Sequence, residues 1–380
     1  MTKNKFRIGL LLVLLAGLLI YFGIAATVGS DETQSDSAGH NYMYVANYTD
    51  DTITRFIRDP LKGTLSSPVS YKAAAGGTPW AITADASGSF VYVTSTLTST
   101  LQVFQIGQGG KLTSIQVIDS KDAIIHQPAY IKLDQSTQYI LVPVFGVVNG
   151  NYYASVYKIE SGGMLSQVST AFAGKNPHSV ITEPSEHFAF ACDWNGESIS
   201  QYKFDVTTGA LTPNGFVNVK GNGPRVSLFD KSSHFGYVVD ERSNNVEVYS
   251  LNMSTGTLTW IQTVTSRGGP TDWRAADLKF GPGEKFLYVS SRNDNKVYYW
   301  QVDSTTGLLS NMNSIATGVY PQGLEIDPAG KFLYTANMTD GTVSAFKIND
   351  GGSLTPVGTY LSGTGKNSGA DFTVIVQTKN

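Results

Sequence analysis

The sequence predicts an all-β protein: a seven-bladed β-propeller with one blade closed by its N- and C-terminal strands. Three observations carry that expectation. A motif of about 50 residues recurs along the chain, a period within the range of propeller blades. The composition, with 39 Gly, 20 Tyr and 18 Phe and only 15% charged residues, is that of short strands joined by tight turns. The repeat region begins and ends on complementary fragments of one unit, as a closed ring requires.

Taken in chain order, the first element is an export pattern. Lys3, Lys5 and Arg7 precede an almost unbroken apolar run from Ile8 to Val28. A basic flank followed by such a run marks a signal peptide or an N-terminal membrane anchor within residues 1–29. About 20 apolar residues suffice to span a bilayer. The small pair Ala25-Ala26 offers a cleavage site, so both forms stay open. The run has no polar face, which argues against a buried core helix. Basic residues stay on the cytosolic side, so the rest of the chain is expected to be extracytoplasmic, periplasmic or secreted. Its only link to a membrane would be residues 8–28. Residues 30–40, polar, acidic and rich in small side chains, read as a flexible linker.

Residues 41–380 read as the propeller. A fragment from Asn41, NYMYVANYTDDTITRFIRDPLKGTLSS, starts at a second strand. Six complete units follow, starting near Thr78, Gln127, Asn176, Gly223, Ala275 and Tyr320, and are named blades I to VI below. Blade VI reads YPQGLEIDPAGKFLYTANMTDGTVSAFKINDGGSLTP and blade III reads NPHSVITEPSEHFAFACDWNGESISQYKFDVTTGALTP. In blade III the strands are expected at 178–182, 188–193, 198–204 and, more loosely, 210–219, separated by turns rich in Gly, Ser, Asn, Asp and Pro. Alternation is clear within strands: Phe286, Tyr288 and Ser290 point one way, Leu287 and Val289 the other. The last fragment, from Asp371, supplies one first strand. Residues 372–378 are expected to pair beside 42–47 and complete blade VII.

The functional signal lies where the repeat breaks. Aligning the blades on the first aromatic of the second strand gives the anchors Phe90, Tyr139, Phe188, Phe235, Phe286, Phe332 and Tyr42. Ten residues before the anchor stand Trp80, Ala129, His178, Arg225, Ala276 and Gln322. Six residues after it stand Thr96, Phe145, Trp194, Glu241, Arg292, Met338 and Tyr48. Both columns belong to the same end of the ring. His178, Arg225, Glu241 and Arg292 are therefore expected at one mouth of the channel, in three consecutive blades. An arginine fork suits carboxylate or phosphate, and His and Glu are the usual proton carriers. The structural alternatives are an inter-blade ion pair for Glu241 and Arg292, and a solvent-exposed turn residue for His178. Cys192 lies mid-strand and reads as a small buried apolar residue; as the single cysteine it can form no intramolecular disulfide. His187 and His234 fall in turns at the opposite end and His40 in the linker, so no histidine-rich metal site is expected. Asn47, Asn252 and Asn337 begin glycosylation sequons. The net charge of −3 gives no footprint for nucleic acid, and nothing in the sequence specifies an oligomeric state.

The units resemble the lactonase family of seven-bladed propellers, which includes bacterial 6-phosphogluconolactonases and fungal carboxymuconate cyclases. The phrase that carries the likeness stands here as Asp327-Pro-Ala-Gly-Lys-Phe-Leu-Tyr-Thr-Ala-Asn337 and Asp303-Ser-Thr-Thr-Gly-Leu-Leu309. It spans residues 41–380 and is mainly scaffold. The family's Pro-His opening of a middle blade matches Pro177-His178. Its Gly-Pro-Arg-His opening matches Gly223-Pro224-Arg225, with Val226 in place of the histidine. Its Asn-Glu turn matches Asp240-Glu241, and the arginine of its Ser-Asn-Arg turn matches Arg292. Lys279 and Tyr130 replace two further family histidines. The resemblance thus nominates the same four residues. It implies lactone hydrolysis without a cofactor, on a small and anionic lactone as in a 6-phosphogluconolactonase. Water would attack the carbonyl with His178 or Glu241 as general base, while Arg225 and Arg292 hold the substrate's anionic group or the developing oxyanion. Two arginines beside Glu241 should keep it ionised, which points to His178 for the protonating role. The competing reading is a non-catalytic extracytoplasmic propeller that binds an anionic ligand or a protein partner at the same mouth.

Overall fold

The computed structural model describes residues 41–73, 77–265 and 274–378. They form seven four-stranded antiparallel sheets arranged as blades. The basic flank, the apolar run and the linker lie outside the described residues. In blade III the strands run Pro177–Thr182, Phe188–Asp193, Ser198–Asp205 and Ala210–Asn218, within a residue or so of expectation. Blade II departs most. Its first strand shrinks to Lys132–Leu133, with an isolated bridge from Pro128 to Val144.

Blade VII closes the ring as the split repeat requires. Its first strand is Ala370–Gln377, which pairs antiparallel with Asn41–Asn47, Asn41 facing Gln377 and Asn47 facing Ala370. The strand starts two residues earlier than expected, so Asp371 joins the column of His178 and Arg225.

Two recurrent devices explain why the sequence folds this way. The turn after the first strand carries a carboxylate that accepts the backbone N–H of the anchor aromatic: Asp85 for Phe90, Asp134 for Tyr139, Glu183 for Phe188, Asp230 for Phe235 and Asp327 for Phe332. An acid five residues before an aromatic therefore marks the hairpin in five of the seven blades, blade V having Gly281 there. The second device joins neighbours. Each anchor ring packs on a left-handed glycine in the third turn of the next blade. Phe286 of blade V meets Gly352 of blade VI, and Tyr42 of blade VII meets Gly110 of blade I, so the contacts run around the ring. At Gly110 (φ +73°) an added β-carbon would lie 2.9 Å from the Tyr42 ring. Only glycine combines that backbone with that approach. In four blades a tyrosine two residues on bonds the same glycine's carbonyl, as with the Tyr288 hydroxyl and Gly352 at 2.7 Å.

The inner strands are largely buried on both faces, as sheets packed between sheets must be, whereas outermost strands such as Leu65–Lys72 and Leu309–Ala316 are mostly exposed. Cys192 is fully buried, as expected, and burial pushes its thiol up to about 12. Of the three sequons, Asn47 and Asn337 are fully buried with their amides bonded to neighbouring threonine and serine hydroxyls. Asn252 alone of the three is exposed. His187 and His234 are exposed and touch Ser185 and Ser232 in their own turns.

Candidate active site

A third column, twelve residues before the anchor, builds the mouth. Thr78, Gln127, Asn176, Gly223 and Tyr320, with Gly369 at the matching place in blade VII, all have positive φ. In four of these blades that residue's carbonyl accepts the N–H of the residue six beyond the anchor. Trp194 donates to Asn176 at 2.9 Å, Glu241 to Gly223 at 2.8 Å, Met338 to Tyr320 at 3.0 Å and Tyr48 to Gly369 at 2.8 Å. Arg292 donates likewise to Arg274 at 3.1 Å. The column that carries Glu241 and Arg292 is thus fixed by main-chain bonds, and its side chains are delivered to the ring's mouth.

There they line a cavity of about 290 Å³. All the residues of the two sequence columns take part except Ala276, which is buried behind it, and Tyr48. Arg274 and Tyr320, from the third column, complete the wall. The four nominated side chains converge here. Glu241 is the hub. Its Oε1 lies 2.6 Å from Arg292 Nη2 and 3.8 Å from Arg274 Nη1, and its Oε2 lies 3.2 Å from Arg225 Nε. The Trp194 indole N–H donates to Oε2 at 3.1 Å. The expected ion pair between Glu241 and Arg292 is therefore real, but it sits inside a cluster that opens on a cavity. Burial alone would raise this carboxyl; Arg292 and then Arg225 outweigh it and hold Glu241 below the usual carboxylate range.

The two buried arginines are heavily committed. Arg225 is fully buried, donates through Nη1 to the Ala276 carbonyl, and lies with its guanidinium 5.9 Å from the Phe372 ring centre. Arg292 donates through Nε to the Arg274 carbonyl at 2.9 Å and through Nη1 to Gln322 Oε1 at 3.1 Å. Arg242, outside the cavity, stacks 3.7 Å from the Trp194 ring centre and steadies that wall.

The structure keeps one of the two sequence readings of His178, its place at the mouth, and overturns the other. His178 is a buried strand residue, not an exposed turn residue, and packs edge-on against Phe145 at 6.1 Å. Burial, reinforced by Arg225 and Arg292, holds its pKa well below the ordinary histidine value. The imidazole therefore rests neutral at pH 7. Its Nδ1 is buried, with no partner beyond the residue's own backbone.

Sequence reasoning missed Asp371. It is fully buried and neither of its carboxylate oxygens has a hydrogen-bond partner. Burial pushes its pKa up to about 8, with Arg225 and Arg292 pulling the other way. Two of the three residues at family histidine positions pack nearby: Tyr130 meets Phe372 edge-on at 5.8 Å, and Lys279 pairs with Asp277 at 3.2 Å. Val226 is a buried core residue. Among the described residues, no group of three or more His, Cys, Asp or Glu side chains gathers as a metal site would.

The lactonase family, described as a seven-bladed β-propeller, matches residues 34–125 and 113–368. The chain belongs to the lactonase family. A 6-phosphogluconolactonase of Pectobacterium carotovorum subsp. carotovorum is 26% identical over 282 residues, covering 70% of this chain and 80% of that protein. One from Serratia proteamaculans is 24% identical over 330 residues, covering 72% and 96%. Among solved structures, a periplasmic gluconolactonase of Pseudomonas aeruginosa superposes with a TM-score of 0.77 at 19% identity, over 90% of this chain and 100% of that one. That last likeness concerns the fold. Within this lactonase propeller the mouth cavity holds the residues that the family resemblance nominates.

Proposed function

We propose that this lactonase propeller opens a small anionic lactone at the mouth cavity, with His178 as the general base. The observation that carries the assignment is the contrast between the two proton carriers. Glu241 is saturated by cations and an indole N–H, so it is a poor base and serves to position the arginines. His178 lines the same cavity and is held neutral by burial and by the two arginines.

In the reaction, His178 takes a proton from water as the oxygen attacks the lactone carbonyl. Arg225 and Arg292 face the oxyanion that develops. The ring C–O bond then breaks, and the imidazolium returns its proton to the leaving alkoxide. The products are the hydroxy acid, ionised at neutral pH, and one proton released to solvent. An anionic substrate also helps the base: the arginine charge that depresses His178 is offset when a negative group binds, and the imidazole becomes more basic.

A panel of neutral and acidic lactones, followed by proton release in a pH-stat, tests this reading. Hydrolysis of acidic lactones is expected, with His178→Gln lowering kcat about a hundredfold or more. Activity that survives both His178→Gln and Glu241→Gln would place the chemistry elsewhere. A folded protein inactive on every lactone would favour the binding propeller, a reading supported by Tyr130, Val226 and Lys279 at family histidine positions. We place the domain outside the cytosol, on the strength of Lys3, Lys5 and Arg7 ahead of the apolar run.

A further inference from the structure

Three guanidinium groups line the cavity, and they are not equivalent. Arg225 and Arg292 are tied to Glu241, to the Ala276 and Arg274 carbonyls and to Gln322, and the Nη2 of Arg225, which has no hydrogen-bond partner, is buried. Moving either would strip a buried carboxylate or a main-chain carbonyl of its partner. Arg274 has no such commitment. Its side chain is 51% exposed, and its ion-pair contact is with Glu241 at 3.8 Å, longer than a hydrogen bond. That carboxylate is already matched by two nearer arginines. What fixes Arg274 in place is its backbone, whose carbonyl receives both the N–H and the Nε of Arg292. The side chain can therefore turn without disturbing the site.

The charge count gives the same direction. Among the described residues on the cavity wall, Arg225, Arg274 and Arg292 face one carboxylate, Glu241, with the Asp371 carboxyl buried behind them. The opposing wall is Trp80, Phe145, Trp194, Tyr320 and Met338, which supplies no anion. An excess of positive charge beside an apolar wall is a receptor for a negatively charged group.

We infer that Arg274 is the specificity residue of this mouth: it grips a carboxylate or phosphate substituent of the substrate, while Arg225 and Arg292 hold Glu241 and meet the reacting carbonyl. The inference rests on the lactonase reading for its kinetic test and on binding alone for its second test.

The kinetic test compares γ-butyrolactone carrying a γ-carboxylate with its neutral carboxamide, and includes a phosphomethyl analogue to tell the two anions apart. In Arg274→Gln the preference for the acidic over the neutral lactone, as the ratio of kcat/KM values, should fall about tenfold or more, carried by KM. Arg274→Lys should recover only part of it, because a point charge replaces a two-point fork. Rising salt should erode the wild-type preference and leave that of the Gln variant flat. A ratio unchanged by the substitution, or a loss that lies in kcat for both lactones, overturns the inference.

The binding test follows the fluorescence of the protein, with Trp80 and Trp194 in the cavity wall, as 2-hydroxyglutarate, the ring-opened product, or inorganic phosphate is added. Weaker anion binding by Arg274→Gln, about tenfold or more, supports the assignment even if no lactone is turned over. Equal binding by both proteins, or none by the wild type, overturns it. Near-wild-type melting of the variant, expected for a half-exposed side chain, excludes misfolding as the cause.

Discussion

Replacing Glu241 by Gln keeps the shape of the hub and removes its charge. Arg225 is fully buried and Arg292 nearly so, at 3.2 and 2.6 Å from that carboxylate. Their pairing energy cannot be summed from distances, because desolvation offsets it. The relevant quantity is the cost of stranding a buried cation, about 3–5 kcal/mol when one partner of a buried pair is lost. Against a total stability of about 5–15 kcal/mol this is large. In a domain of this size it corresponds to a fall in Tm of about 5–10 °C. Arg274, at 3.8 Å and half exposed, adds little to that figure. Scanning calorimetry at pH 7 measures the loss. Adding Arg225→Met to the Glu241→Gln protein removes one of the two stranded cations, Arg292 remaining, and should regain about half of it. Arg292 and the Ala276 carbonyl, which then loses its donor, account for the rest. The same pairing sets an acid limit. A carboxyl held below its unfolded value stabilises fully above about pH 4.3, and that contribution drains away as pH falls towards its lower folded value. A Glu241→Gln protein melting within about 1 °C of wild type, or a double variant less stable than the single one, would refute the picture of Glu241 as counter-ion to buried arginines.

Two further outcomes follow from the same structure. Asp371 has a folded pKa near 8, above its unfolded value of about 3.9, so keeping it buried costs the protein stability as pH rises from about 4 to about 8. Asp371→Asn should therefore melt higher than wild type at pH 8 and converge with it near pH 4; parallel Tm curves would show that the carboxyl is not buried as described. A reporter enzyme that works only outside the cytosol, fused after Asn380, should be active, and a fusion active only in the cytosol would sink the proposed location.

The ring was legible in the sequence because each blade repeats an anchor aromatic and a turn glycine and five of the seven add a hairpin acid, and those residues do the physical work of folding and docking. Four members of the site were legible for the same reason. His178, Arg225, Glu241 and Arg292 break columns whose other members are neutral. Arg274 and Asp371 were missed for different reasons. Arg274 precedes the first strand of its blade, in a column set by backbone geometry rather than by side-chain burial. Its signal was nonetheless present, since Asn176 and Gly223 mark that column as left-handed turn positions and an arginine there is a break. Asp371 was missed because the last strand starts two residues earlier than the fragment's hydrophobic pattern suggests. The protonation of His178 was beyond any alignment, since it depends on burial and on arginines from two other blades.

The position of Asp371 and Phe372 ties ring closure to the site. Both belong to the terminal strand, whose partner lies more than three hundred residues earlier, Asn41 facing Gln377. Closing so long a loop carries a large entropy cost, which grows slowly with length and is recovered only through the contacts that closure makes. Those contacts include Phe372, which lies under the Arg225 guanidinium and against Tyr130. They also include Asp371, whose carboxyl feels both Arg225 and Arg292. A ring left open at blade VII would admit water to Arg225, weaken the ion pairs that orient Glu241, and relieve the desolvation that keeps His178 neutral. Electrostatic stabilisation of an oxyanion depends on such donors being held in a water-poor cavity before the substrate arrives. The strand that makes the propeller a closed ring is thus also the one that shields Arg225 at its mouth, on which the proposed reaction relies.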